Sequence, residues 1–315
     1  MIVESSVTIV VPVYQESCSL RSFYVRLNAV VKKFDNIKWR FIFVNDGSTD
    51  DSLSILRELA ALDGRISVVD FSRNFGKEIA LTAGVFEAGE SDAVISLDAD
   101  LQHPPEIIPK LIEAWMNGSD VVVTVRKSFL GQPLLKKIGS RVFHWLINKT
   151  SDVRMVPNST DFRMYDKKVI DAFKSATEQD RIFRGIIDWL GFKSFYVEFD
   201  APEREGGSSS FSYRAMLRLA INGLTSFSLW PLKLVSYLGF LTAGLSGFLL
   251  LWMLISNAAE RGVAYTPLAM VVVANTFLSG IVLVSIGLVA HYIGRIHTQV
   301  IGRPLYVIRE RINFK

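Results

Sequence analysis

The chain has 315 residues, half of them hydrophobic, with 35 lysines and arginines against 31 aspartates and glutamates. A net charge of +4, with no module that interleaves basic and aromatic residues, argues against nucleic acid as a partner and suits contact with anionic lipid head groups. The single cysteine, Cys18, excludes an internal disulfide framework or a cysteine zinc cluster and fits a reducing compartment.

No charged, apolar, small-residue leader opens the sequence, which runs at once into VTIVVPVY (7–14), a continuous run of strand formers. Leu20, Phe23, Leu27, Val30, Val31 and Phe34 then recur at helical spacing. The same alternation continues with a strand at 41–46, a helix from about STDDS, a strand at 66–72 and a helix after Gly76. A strand at 93–100, a helix after Pro105 and a strand at 120–126 follow. Strands that are apolar on both faces and alternate with helices predict a largely parallel sheet covered on both sides. Ligands of such sheets sit at the carboxyl ends of the strands, where Tyr14 to Glu16, Asn45 to Ser48, Ser72 to Lys77, Asp98 to Gln102 and Arg126 all fall.

Beyond this α/β region, residues 134–149 place Leu134, Ile138, Val142, Trp145 and Leu146 on one helical face, with Lys136, Lys137, Arg141 and Lys149 elsewhere. Residues 213–224 do the same with Arg214 and Arg218. Both read as amphipathic helices in a membrane interface, or as ordinary core-facing helices. EREGGSSSFS (203–212) is a Gly/Ser-rich loop, either a linker or a mobile lid. Residues 234–255 and 266–290 contain no charge. At ~1.5 Å per residue each covers roughly 33 to 37 Å, enough for a ~30 Å hydrocarbon core. Two buried core helices would read alike. Flanking arginines and lysines (Arg214, Arg218, Lys233; Arg295, Arg303, Arg309, Arg311) predict that both termini, and with them the α/β part of an inner (plasma) membrane protein, lie in the cytoplasm.

The chemistry concentrates in SLDADLQHPPE (96–106). Alternation along a strand would put Asp98 and Asp100 on one face, and with the amide oxygen of Gln102 they form a hard-oxygen set suited to Mg²⁺ or Mn²⁺ beside a nucleotide diphosphate. His103 reads as an exposed turn residue or as a fourth ligand. A lone D-x-D also arises as two solvated turn residues. No G-x-G-x-x-G follows the first strand and no G-x-x-x-x-G-K-[ST] occurs, which disfavours dinucleotide dehydrogenases and P-loop NTPases.

VPVYQE, FVNDGSTDDS, FSRNFGKEIALTAG and LDADLQHPPE, in this order, resemble the family-2 glycosyltransferases of the GT-A fold. TDFRMYD, DRIFRG and RIHTQVIGRPLY, with two spans near the end, resemble the branch that uses polyprenyl phosphate, the bactoprenol glucosyltransferases and dolichyl-phosphate mannose synthases. The resemblance covers nearly the whole chain. It implies a Rossmann-like GT-A domain at 1–211, with an interfacial helix at about 130–149, and a juxtamembrane helix at 212–229. A two-helix membrane domain at 230–291 (spans about 232–256 and 266–290) and a basic tail at 292–315 would follow.

It also implies a nucleotide-sugar pocket of Pro12, Tyr14, Glu16, Asp46, Arg73, Lys77 and Asp98, with Arg204 reaching the diphosphate. Asp98, Asp100 and Gln102 would serve the metal, and Arg126, Lys136, Ser140, Arg141, Arg181 and Arg184 the acceptor phosphate. Catalysis would fall to Asp98, Asp100, Arg126 and Asp161, the last acting as a base or, alternatively, pairing structurally with Arg163. Ser210 stands where relatives commonly carry a lysine before the aromatic, which removes one cation from that loop.

The expected reaction is inverting transfer of a hexose, UDP-glucose favoured over GDP-mannose, to polyprenyl phosphate such as undecaprenyl phosphate for cell-surface glycan modification. The resemblance leaves room for a homo-oligomer. A processive polysaccharide synthase would need a Q-x-x-R-W segment, whereas Gln179 is followed by DRIFRG. A membrane-tethered nucleotide-sugar sensor is the non-enzymatic alternative.

Overall fold

A computed structural model describes residues 5–127, 156, 158–179, 181–200 and 267–314. The chain divides into two compact units, one of Met1–Asn148, Val153–Ser210 and Arg303–Lys315, the other of Lys149–Asp152 and Phe211–Gly302.

In the first unit β1 (Ser5–Val13), β2 (Ile37–Asn45), β3 (Ile66–Phe71) and β4 (Ala93–Ser96) alternate with α1 (Leu20–Val31), α2 (Ser52–Leu62) and α3 (Lys77–Glu87). A short 3₁₀ turn, Pro105–Ile107, leads into α4 (Ile108–Met116) and β5 (Val121–Arg126). Then come β6 (Ser159–Asp166), α5 (Lys167–Lys174), α6 (Phe183–Trp189) and β7 (Ser194–Phe199), and β8 (Ile308–Ile312) closes the list. The sheet runs β7-β5-β6-β4-β1-β2-β3-β8. β3, β2, β1 and β4 are mutually parallel, β5 and β7 are parallel to each other, and β6 and β8 run antiparallel to their neighbours.

Both faces are buried, as the two-sided apolar strands predict. Residues of α1, α2 and α4 pack on one side and those of α3, α5 and α6 on the other. α3 lies close on β1 because Gly84 offers no side chain: a Cβ there would come 2.2 Å from a methyl of Val10. Asp166 ends β6 and caps α5, accepting the amide of Lys168 at 3.1 Å.

Three features depart from the sequence-based expectation. The strand predicted for 93–100 ends at Ser96, so Asp98 and Asp100 lie on the following turn, where Leu101 has φ 61°. Residues 308–312, in the stretch expected to be a basic tail, form an edge strand on β3. Of the two expected spans, the first (232–256) lies outside the described residues. The second falls within α7 (Pro267–Ile301), the described helix of the second unit. Among the described residues, no helix is long and apolar enough to cross a membrane.

The turn after β2 depends on Gly47, which has φ +66° and whose added Cβ would lie 2.4 Å from the carbonyl carbon of Arg73. Gly47→Ala therefore meets both an unfavourable left-handed backbone and a backbone clash, and costs about 2 kcal/mol or more. Thermal unfolding should reveal a clear drop in Tm. Gly64→Ala, where nothing lies within 4 Å and φ is ordinary, should leave Tm unchanged or slightly raised.

Candidate active site

The order β3-β2-β1-β4 reverses direction between β1 and β4, so the loops leaving these two strands diverge and open a crevice. Antiparallel β6 begins where β4 ends: Ser96 is opposite Arg163, and its hydroxyl donates to the carbonyl of Asp161. β5 ends beside them with Arg126. A cavity of about 350 Å³ results, lined by Lys77, Asp98, Asp100, Gln102, His103, Arg126, Lys127, Asn158, Ser159, Thr160, Asp161 and Arg184.

Lys77 sits at the centre. Its Nζ lies 2.8 Å from the carboxylate of Asp98 and 2.8 Å from Oδ2 of Asp161. Burial alone would raise the pKa of Asp98, but the ammonium of Lys77 and the ring of His103 hold it far below the ordinary carboxylate range. Asp161 is likewise pushed up by burial and pulled down further by Lys77, ending below its usual value. Lys77, which burial would make easier to deprotonate, is held firmly protonated by the two carboxylates.

His103 is not the exposed turn residue weighed from sequence. Only 4 % exposed, it packs against Phe162 and Phe199, its Nδ1 3.2 Å from Oδ2 of Asp98 and its Nε2 3.2 Å from Nη2 of Arg126. Arg126 also reaches the amide oxygen of Gln102 at 3.3 Å. The apolar neighbours of His103 in space come from β6 and β7, far away in sequence, so local pattern gave no sign of its burial.

Asp98, Asp100 and His103 each offer one ligand atom, and these atoms lie within 4.8 Å of one another. Two hard carboxylates and an imidazole in that space fit a divalent cation. Gln102 contributes differently from expectation: its backbone N–H donates to Oδ1 of Asp100 at 3.0 Å while its amide oxygen faces Arg126.

The remaining predicted residues divide. Pro12, Tyr14, Glu16, Asp46 and Arg73 gather at the ends of β1, β2 and β3, outside the lining of the cavity. Burial raises the pKa of Glu16, and the charges of Asp100 and Asp98 add to the rise. Asp46 is buried, accepting the amides of Phe75 at 2.7 Å and Gly76 at 2.9 Å, and so fixes the turn into α3. The guanidinium of Arg73 lies over the Phe75 ring, 4.1 Å from its centroid.

Arg184 lines the cavity with Asp161, but Arg181 does not. It lines a separate hollow with Phe75, Glu78 and Leu305, and its guanidinium is committed to the carbonyls of Glu178 and Ala176. The alternative pairing of Asp161 with Arg163 is not formed. Arg163 is buried and spent on Asp188 at 2.6 Å and on the carbonyl of Thr160. Lys136, Ser140, Arg141, Arg204 and Ser210 lie outside the described residues. Lys127, Asn158, Ser159 and Thr160 join the cavity without any motif to announce them.

The sequence pattern of Glycosyl transferase family 2 matches residues 8–173. The uncharacterised glycosyltransferase YkcC of Bacillus subtilis is 39 % identical over 303 residues, 96 % of this chain and 93 % of that protein. The bactoprenol glucosyl transferase of Shigella phage SfII is 36 % identical over 307 residues, 96 % of this chain and 97 % of that protein. Among solved structures, glucosyl-3-phosphoglycerate synthase from Mycobacterium tuberculosis, in complex with Mn²⁺, UDP-glucose and phosphoglyceric acid, superimposes with a TM-score of 0.50. It shares 18 % identity, over 70 % of this chain and 79 % of that one. The α/β architecture is thus GT-A-like.

Lys77→Met leaves Asp98 and Asp161 without their cation, and burial should then raise both pKa values. In the wild type, folded values below the unfolded ones make this stabilisation complete above about pH 4, and it is lost as pH falls through the folded values. Lys77→Met should be about 1–2 kcal/mol less stable at pH 7, a figure discounted because Lys77 is 41 % exposed. Its stability should fall less than the wild type's between pH 6 and pH 3. Chemical denaturation across that range checks both signs.

Proposed function

Because the chain belongs to glycosyl transferase family 2, and is therefore a hexosyltransferase, we propose that it transfers glucose from UDP-glucose to a polyprenyl phosphate at the cytoplasmic face of a membrane. The observation that carries the acceptor class is the ion pair of Asp161, whose Oδ2 lies 2.8 Å from Nζ of Lys77. Held ionised by Lys77 below its ordinary range, it is a poor proton acceptor. A sugar hydroxyl would need a base to become a nucleophile. A phosphate monoester, with a second pKa near ~6, is largely ionised at neutral pH and needs orientation by cations instead. Arg126, Lys127 and Arg184 in the cavity wall fit that need. The name of the phage relative, bactoprenol glucosyl transferase, supports both the lipid and the sugar.

In this reading, Pro12, Tyr14, Glu16 and Asp46 hold base and ribose, and Arg73 and Lys77 face the diphosphate. The acceptor's phosphate oxygen attacks the anomeric carbon as the bond from that carbon to the diphosphate oxygen breaks, inverting the centre. Asp98, Asp100 and His103 would hold Mg²⁺ or Mn²⁺, which when bound offsets charge on the leaving diphosphate. Asp161 positions Lys77 and does not take a proton. The charge-free runs at 234–255 and 266–290 are proposed as membrane spans bringing the site to its lipid. Extraction at alkaline pH tests this: release of the protein from membranes would refute insertion.

The deciding assay is transfer of radiolabelled sugar to undecaprenyl phosphate by the full chain in detergent, with UDP-glucose, UDP-galactose and GDP-mannose in parallel. Label should enter the lipid from UDP-glucose, vanish with chelator and return with Mn²⁺ or Mg²⁺. Asp100→Ala should lower kcat by about 10² to 10³. The rate should rise with pH through roughly 6 and then level off, following the acceptor's ionisation. If no donor labels the lipid, the acceptor assignment fails.

A further inference from the structure

β8 pairs with β3 through a bulge: Asp70 faces Glu310 and Phe71 faces Ile308, leaving Arg309 as the extra residue. Bulges re-aim side chains, and here the redirected one is a cation. Nη1 of Arg309 lies 3.4 Å from Oδ2 of Asp70, a carboxylate with no exposed surface. Its Nη2 donates to the carbonyl of Ser72 at 2.7 Å. The other oxygen of Asp70 accepts from Asn45 at 2.7 Å, and Asn45 in turn accepts the amide of Ser48 at 3.4 Å. Arg309 therefore holds, through one buried carboxylate and one carbonyl, the ends of both β2 and β3.

Those ends carry the proposed donor residues. Asp46 follows Asn45, and Arg73 and Lys77 follow Ser72. The lead-in to β8 touches the same loop, since the amide of Ser72 donates to the carbonyl of Val307 at 2.9 Å. Tyr306 stacks on Phe71 at 5.1 Å, and Phe71 meets Phe75 edge-on at 5.6 Å. The far end of β8 is anchored independently by Arg311 on Glu87 at 2.7 Å and by Asn313 on the carbonyls of Ala60 and Ile66. Removing the Arg309 charge should thus loosen the loop without detaching the strand.

We propose that Arg309 is a positioning residue for nucleotide-sugar binding, keeping the loop at residues 72–76 in its binding geometry by neutralising Asp70 and holding Ser72. This rests on the reading of that loop as part of the donor site.

The test uses the full chain in detergent and compares wild type, Arg309→Gln, Arg309→Lys and Arg311→Gln, with UDP as probe in calorimetry. Arg309→Gln should weaken UDP binding about tenfold and raise KM for the donor more than it lowers kcat. Arg309→Lys should restore part of the affinity. Arg311→Gln, which also removes a cation from β8 but away from the loop, should bind as wild type does. Amide hydrogen exchange at residues 72–76, measured without nucleotide, should quicken in Arg309→Gln alone. Unchanged exchange and affinity in Arg309→Gln would overturn the inference, as would equal losses in both Gln variants. Quickened exchange in Arg309→Gln with no UDP binding by the wild type would instead overturn the donor-site reading and keep the loop-positioning role.

Discussion

Crowded negative charge is the constraint around which the catalytic unit is organised. Asp98, Asp100 and Asp161 converge where β4 ends and β6 begins, with Glu16 close enough to feel two of them. Like charges at such spacing cannot all remain ionised without cations among them. Lys77 answers for Asp98 and Asp161, and its place follows from backbone geometry rather than from its own side chain. Gly76, at φ +101°, turns the chain into α3, and Asp46 holds that turn by accepting two successive amides. Asp100, with no lysine paired to it among the described residues, is left to the proposed cation.

Sheet topology supplies the rest. Parallel strands all deliver their carboxyl ends to one edge, and the reversal between β1 and β4 separates the loops there. The antiparallel insertion of β6 then brings a segment distant in sequence to the same edge. Buried Arg163 of β6 pairs with Asp188 of α6, which leaves the neighbouring Asp161 to meet Lys77.

Much of this architecture was legible from local pattern, because strands buried on both faces write themselves as continuous apolar runs. β1, β2, β3 and β5 stand where VTIVVPVY, FIFVND, ISVVDFS and DVVVTVR predicted. β8 was illegible for the converse reason: IRERI is an edge strand whose three central residues are charged and exposed, so no apolar period marks it. Asp98 and Asp100 of the D-x-D do line one cavity, but from a turn and not from alternate positions of a strand. His103 owes its burial to Phe162 and Phe199, and the use of Arg181 to carbonyls of the turn that precedes it. Neither partner set could be read from residue type alone.

The strand order also has a consequence for biosynthesis. Ser72 and Arg309 are 237 residues apart, so the edge of β3 emerges from the ribosome long before the strand that covers it. At ~5–20 residues per second that interval is roughly 10 to 50 s. Throughout it, the nascent chain presents an unpaired row of amides and carbonyls and an unneutralised Asp70, an invitation to wrong strand pairing. Maturation of the carboxyl end of β3 is thereby coupled to synthesis of the helix at 267–301, and a chain interrupted within that helix would leave the ribosome with its sheet unfinished.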